Sequence, residues 1–232
     1  MASIDDAGDV AVISGTRITI GHRAAGGSDL EFLGGVENQH GEVLLEQSFH
    51  AGRVWTLRLR PGSPPARVGG RELKAGGAHS FFDGDEIRLG PAAEFRVCQP
   101  DASSASVILE LVRGTEVEGA RRVLLLAPGE SGRARIGART NRHLLIPGLK
   151  ADIELLRPMS KDSSGEDGGE DGAPTDSILV RCSAGVRPSA GGPDGAIEWS
   201  TTLPLHGRTF LSSGVDPARL PPFGIALRPL SG

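Results

Sequence analysis

The stretch Arg17-Ile-Thr-Ile-Gly21-His-Arg23 returns later in the chain as Arg133-Ala-Arg-Ile-Gly137-Ala-Arg139. Both copies fall at a comparable point of a β-type segment. The echo therefore constrains the chain to a small β-unit present twice. The surrounding sequence reads the same way. Residues 53–60 alternate strictly, with Trp55, Leu57 and Leu59 on one face and Thr56, Arg58 and Arg60 on the other, as a half-buried strand requires. Comparable short runs occupy 10–13, 17–20, 29–33, 41–46, 72–73, 86–89 and 94–98. A second series occupies 107–112, 123–126, 144–146, 151–156, 178–182, 196–199, 209–211 and 224–227. Gly69-Gly70 and Asp83-Gly84 supply turns between runs. Helical periodicity is absent from every window long enough to judge. The expectation is an all-β protein of two units, 8–99 and 107–230, joined by the polar stretch 100–106.

Composition agrees with short strands and tight turns: 34 glycines and 16 prolines are many for a helical chain of 232 residues. The net charge of −4 hides a local concentration. Residues 160–177 hold six acids and one lysine, leaving 24 basic and 23 acidic residues elsewhere. The remainder lacks the basic field that nucleic-acid binding needs. The acidic stretch has no aliphatic side chain to offset its ordering entropy, so it is expected as a solvated hairpin insertion. Ser160, Ser163, Ser164 and Thr175 within it also have the look of acidophilic kinase sites. No apolar run approaches the roughly 20 residues of a membrane span. The first residues show no basic flank before an apolar stretch, which leaves the cytoplasm as the expected location. Cys98 and Cys182, far apart and without a C-x-x-C pattern, read as two free thiols in preference to a disulfide, and offer no zinc site.

The first unit resembles a forkhead-associated (FHA) domain across nearly its whole length. The resemblance is carried in order by Ile20-Gly21-His22, Ser28-Asp-Leu-Glu-Phe-Leu33, Glu37-Asn-Gln-His40 (with Asn38), Trp55-Thr-Leu57 and Ala66-Arg-Val-Gly-Gly70. It ends on the intact string Asp83-Gly-Asp-Glu-Ile-Arg-Leu-Gly90. The second unit resembles the family more weakly, through its opening hairpin and Ile136-Gly137-Ala138, and lacks the D-G-D string. The resemblance implies two FHA-like antiparallel β-sandwiches in tandem. It also implies a protein or peptide partner, with no cofactor, metal, membrane or nucleic acid.

Family members grip phosphothreonine with an arginine, a serine and an asparagine in loops at one end of the sandwich. A dianion needs a fixed guanidinium and convergent donors. This chain departs from the pattern. His22 stands at the arginine position with Arg23 one place later, Glu37 at the serine position, and Gly69 at the position matched to the asparagine. A carboxylate beside a phosphate opposes binding. His40 matches a family histidine that braces loops. In the second unit Ala138 takes the arginine position, Lys150 approximately the serine position and Ile153 the histidine position. Arg139, Arg142, His143 and Lys150 offer a candidate basic binding cluster near the loop end, with four solvated surface residues as the favoured reading. The expected function is a phosphate-independent interaction module in signalling or scaffolding. The alternative is a phosphothreonine reader in a Ser/Thr-kinase pathway, using Arg23 with Arg67 and Arg71. An enzyme is not expected: Gly129-Glu-Ser131-Gly132 lacks the G-x-S-x-G spacing of a nucleophile elbow.

Overall fold

The structure is a computed structural model. It describes residues 2–4, 8–23, 27–32, 36, 40–48, 52–90, 93–114, 116–117, 120–145, 152–157, 177–182, 186–189, 201–204, 209–213 and 224–227. The first half of the chain supplies β1 (Ala2–Ile4), β2 (Gly8–Ser14), β3 (Arg17–His22), β4 (Leu30–Phe32), β5 (Gly41–Ser48) and β6 (Gly52–Leu59). It continues with β7 (Ala66–Val68), β8 (Arg71–Leu73), β9 (Ala78–Phe81), β10 (Glu86–Leu89) and β11 (Ala93–Cys98). The second half supplies β12 (Val107–Gly114), β13 (Arg122–Leu126), β14 (Ala134–Gly137), β15 (Leu144–Leu145) and β16 (Ile153–Leu156). It ends with β17 (Ser177–Cys182), β18 (Val186–Ser189), β19 (Thr201–Pro204), β20 (Thr209–Ser213) and β21 (Gly224–Leu227). Among the described residues there is no α-helix; a 3-10 turn spans Glu130–Gly132. The all-β expectation is met. The run expected at 196–199 and the acidic stretch up to 176 lie outside the described residues.

Three mixed sheets result. One has five strands in the order β4-β3-β5-β6-β9, a second five in the order β15-β14-β16-β17-β19. Strand for strand these orders correspond, and so do the directions: β3·β4 and β14·β15 are parallel, the other neighbours antiparallel. The third sheet has eleven strands, β18-β20-β21-β1-β2-β13-β12-β11-β10-β7-β8. It runs on past the expected linker, since β11 pairs antiparallel with β12 from Ala93 opposite Gly114 to Cys98 opposite Ile108.

Alternation explains how these sheets pack. Trp55, Leu57 and Leu59 on β6 join Ile18, Ile20, Phe32, Phe81, Ile87, Leu89 and Phe95 in one apolar core. Phe32 and Phe95 meet there as tilted rings 5.9 Å apart. Val107, Leu109 and Leu111 of β12 and Val123 and Leu125 of β13 enter the same core. Each such side chain contributes about 1.5–3 kcal/mol by leaving water. The intervening residues Ile108, Leu124 and Leu126 point the other way, as a period of two demands, and are equally buried outside that cluster. The hairpin β12–β13 is therefore covered on both faces, which is why it reads as a continuous apolar run. Thr56 departs from the half-buried pattern expected of β6: it is buried too, its hydroxyl 3.0 Å from that of Ser80 on β9.

Beyond this covered zone the outer face of the large sheet carries ladders of charge. Glu72, Arg67, Arg88, Glu94 and Arg113 are successive cross-strand partners, as are Glu86, Arg96, Glu110 and Arg122. Signs alternate at every step except Arg67 beside Arg88, and within the ladder Arg88 and Glu94 form an ion pair at 2.8 Å.

Candidate functional site

The strand registers decide which loops share an end. Ile20 near the C-terminus of β3 pairs with Gly41 at the start of β5, Gly41 with Leu59 at the end of β6, and Arg58 with Ala78 at the start of β9. His22, Arg23, His40, the 60–65 connection and the 74–77 turn thus gather at one end, called here the upper end. Phe81 pairs lower down with Trp55, so residues 82–85 lie at the lower end.

His22 closes β3, half-buried, and Arg23 follows it, exposed. His40 is fully buried. Its N–H donates to Ile20 O at 2.9 Å, and its carbonyl accepts from Arg60 N at 3.2 Å and Ser63 Oγ at 2.6 Å. It ties three segments together, as a bracing residue does. Glu37 and Asn38 lie outside the described residues, as does Lys150.

Gly69 and Arg71 do not join them. β7 leaves the upper end and runs down, with Ala66 opposite Leu89 and Val68 opposite Ile87. The turn that follows is therefore at the lower end, beside the start of β10, where Gly69 N donates to Glu86 O at 3.0 Å. Gly69 and Gly70 have φ of 55° and 81°, the two positive angles of a type I′ hairpin turn. A Cβ on Gly69 would lie 2.9 Å from Asp85 Oδ1. Arg71 sits across from Val68 next to this turn, and Arg67 belongs to the charge ladder on the sheet face. The arginine trio pictured from sequence does not converge: Arg67 sits midway along β7 in the ladder on the sheet face, and Arg71, at the start of β8, stands at the lower end, opposite to Arg23.

The D-G-D string is legible as a turn. Asp85 Oδ2 accepts from Phe82 N at 2.8 Å, Asp85 N donates to Phe82 O at 3.1 Å, and Asp83 Oδ1 accepts from Gln99 N at 2.6 Å. Ile87 and Leu89 then enter the core while Glu86 and Arg88 stay exposed. Each acid is spent on a backbone N–H, which accounts for the motif without any ligand.

In the second half Arg139 is exposed in the loop after β14. Arg142 and His143, expected as solvated, are buried instead. Arg142 forms two bonds to Asp152, at 3.0 and 2.6 Å, and a third to Asn141 Oδ1 at 2.8 Å. Hydrogen bonding to Arg142 holds the Asp152 carboxyl below its usual range. The register also corrects the expected match to His40: Ile136 pairs with Ile153 as Ile20 pairs with Gly41, so Asp152, not Ile153, stands in that place.

Sequence reasoning overlooked the residues that the 60–65 and 74–77 connections bring to the upper end, namely Arg60 and Ser63, which bond to His40 O, and Lys74. The signal was the run Arg60-Pro-Gly-Ser-Pro-Pro65 directly after an alternating strand, a loop forced by its prolines. Partial burial pushes the Cys98 thiol above its usual range. Among the described residues no three His, Cys, Asp or Glu side chains are grouped to hold a metal ion, and no helix is long and apolar enough to cross a membrane. Comparison of the chain with protein-family models, with curated proteins and with solved structures found no match.

Proposed function

We propose that this protein is a non-enzymatic FHA-type interaction module, two such units in tandem, that docks a protein partner in cytoplasmic signalling or scaffolding without requiring phosphate. The observation that carries this reading is the separation of Gly69 from His22. The turn matched to the family's peptide-holding asparagine is at the lower end, backed by the Asp85 carboxylate. At the upper end, Ser63 spends its hydroxyl on His40 O. Supporting the family side are the buried bracing role of His40, the intact D-G-D turn and the matching strand orders of the two five-stranded sheets.

The test is titration of the full chain with a phosphothreonine peptide library and its unphosphorylated twin. Equal affinities for the twins are expected. A preference of more than about tenfold, or 1.4 kcal/mol, for the phosphorylated set, abolished by Arg23→Ala, would instead establish the phosphothreonine reader.

A further inference from the structure

We propose that the outer face of the eleven-stranded sheet, at β7, β10 and β12, docks an acidic segment of a partner protein whose carboxylates are received by Arg67, Arg88 and Arg113. That a partner exists rests on the interaction reading above; the preference of this face for carboxylates does not.

The break in the charge ladder marks the place. Arg67 on β7 stands directly opposite Arg88 on β10, and both are exposed. Like charges in that position oppose each other, so the contact costs the sheet stability. Arg88 is held in place by Glu94, which accepts from Nε at 3.1 Å and from Nη2 at 2.8 Å. Its Nη1 is not used in that fork. Arg67 lies opposite Glu72 on the edge strand β8, yet among the described residues it forms no hydrogen bond or ion pair.

The other side of Glu94 repeats the excess. A register shift between Glu94 and Phe95 sets exposed Arg113 opposite Glu94. The two arginines flanking Glu94 both hold its carboxyl below the usual range, Arg88 through its hydrogen bond and Arg113 through its charge. One carboxylate therefore serves Arg88 and Arg113 together, and Arg67 is left over. An anion arriving from outside relieves the contact between Arg67 and Arg88, which nothing within the sheet relieves.

The chemistry of the face selects a carboxylate. Strand N–H groups are directed along the sheet to neighbouring strands and not out of its face. Phosphate sites gather such N–H groups at turns and helix ends, and none projects from this surface. Glu72 and Glu94 stand beside the arginines and oppose a dianion more than a monoanion. A guanidinium, by contrast, meets a single carboxylate with two parallel bonds. Arg67 and Arg88 are one strand apart and Arg88 and Arg113 two, a row of about 14 Å at the usual strand spacing. An extended segment of about five residues lying across the strands covers it.

The test is titration of the full chain with fluorescein-labelled hexaglutamate, its hexaglutamine twin and a phosphoserine peptide of equal charge. Hexaglutamate alone is expected to bind well, and to weaken as salt screens the charges. Arg67→Gln and Arg113→Gln should each weaken it at least about threefold, while Arg71→Gln, the same charge change at the lower end, leaves it unaltered. The urea midpoint of Arg67→Gln should equal or exceed that of the parent, because the like-charge contact is gone. No binding of hexaglutamate, an equal loss in Arg71→Gln, or a lowered midpoint in Arg67→Gln would overturn the proposal. Tighter binding of the phosphoserine peptide through the same arginines would overturn the carboxylate preference. Tighter binding of hexaglutamate after Glu166→Gln, Asp167→Asn, Glu170→Gln and Asp171→Asn would place the chain's own acidic stretch on the face and overturn the partner. Loss at Arg23→Ala judges the phosphothreonine alternative and loss at Arg67→Gln judges this face, so the two readings fail separately.

Discussion

The backbone N–H of Arg135 donates to Nδ1 of His143 at 3.1 Å, and at the matching place in the first half Thr19 N donates to the Asp29 carboxylate at 2.7 Å. In both cases the residue just before the short parallel strand closes a backbone donor on the strand before it. The first half does this in solvent, with Thr19 Oγ1 adding a second bond to Asp29 at 2.8 Å. The second half does it inside, because the His143 ring also reaches Ser106 O at 3.1 Å.

Substitution should expose that contrast. Asp29→Ala removes exposed hydrogen bonds and is expected to cost about 1 kcal/mol. His143→Ala leaves Arg135 N–H and Ser106 O without their partner in a buried site and opens a cavity, for an expected loss of about 2–4 kcal/mol. Urea denaturation of both variants checks the order. Equal losses would mean the His143 ring is no more than a surface contact.

The same histidine makes stability fall on mild acidification. Burial holds its pKa below 6.5, the nearby Arg135 and Arg142 guanidinium groups add to this, and the Ser106 carbonyl and Asp101 oppose it. With Nδ1 accepting from Arg135, the neutral ring must carry its proton on Nε2. Protonation of Nδ1 forfeits that bond. The unfolded chain takes up the proton below about pH 6.5 and the folded chain resists it, so unfolding becomes easier as pH drops through that value. A urea midpoint measured between pH 7.5 and 5 should decline, and less so in His143→Gln. Equal slopes in the two proteins would assign the decline to other groups.

How far the sequence disclosed this architecture depends on whether a feature is local. Alternation placed β6, β10 and β12 because a period of two is visible within eight residues. β7 and β9, at three and four residues, are too short to show a period, and missing β7 put Gly69 at the wrong end of the molecule. The echo of Ile20-Gly21 in Ile136-Gly137 announced a duplication that matching strand orders repeat. Nothing local could reveal that β11 would pair with β12 and β1 with β21, since pairing across halves is decided by which apolar faces remain uncovered. The burial of Arg142 was hidden for a related reason: its partner Asp152 lies ten residues away, just before β16.

Ser106 should behave as a structural hydroxyl. It accepts from Ala127 N at 3.0 Å and donates to Gly132 O, while Ser104 Oγ donates to Arg133 O at 2.6 Å and accepts from Ser106 N at 3.1 Å. Ser106→Ala strands a buried donor and a buried acceptor, for an expected loss of about 1–3 kcal/mol. Ser103→Ala, in the exposed turn beside it, is expected to lose well under half as much. Thermal unfolding of the pair decides, and indistinguishable midpoints would remove Ser106 from any such role.

Gly137, the glycine of the repeated motif, is required by close approach. A Cβ there would fall well inside contact with Asp152 Oδ1, with Arg142 Cγ and Nε at 3.3 Å. Gly137→Ala is expected to cost about 1–3 kcal/mol through overpacking. Because Arg142 holds the Asp152 pKa down, the pair stabilises the fold above about pH 3.8 and loses that contribution as pH falls further. In Gly137→Ala this acid-dependent part should shrink. An unaltered acid-unfolding profile would show that the pair adapts to the methyl group.

The shared hairpin makes the sharpest demand on the whole chain. Leu109 faces the first-half core and Leu124, its neighbour on the hairpin, faces the opposite side. If the halves were separate modules, Leu109→Ala would loosen only strands packed on the first core. With β12 and β13 filling the centre of one eleven-stranded sheet, a loss of about 2–5 kcal/mol at either leucine is transmitted to both five-stranded sheets. Hydrogen exchange of amides in β5 and in β16 should therefore accelerate together in Leu109→Ala and again in Leu124→Ala. Acceleration confined to β5 in the first variant and to β16 in the second would show two cores unfolding independently, with the hairpin merely lodged between them.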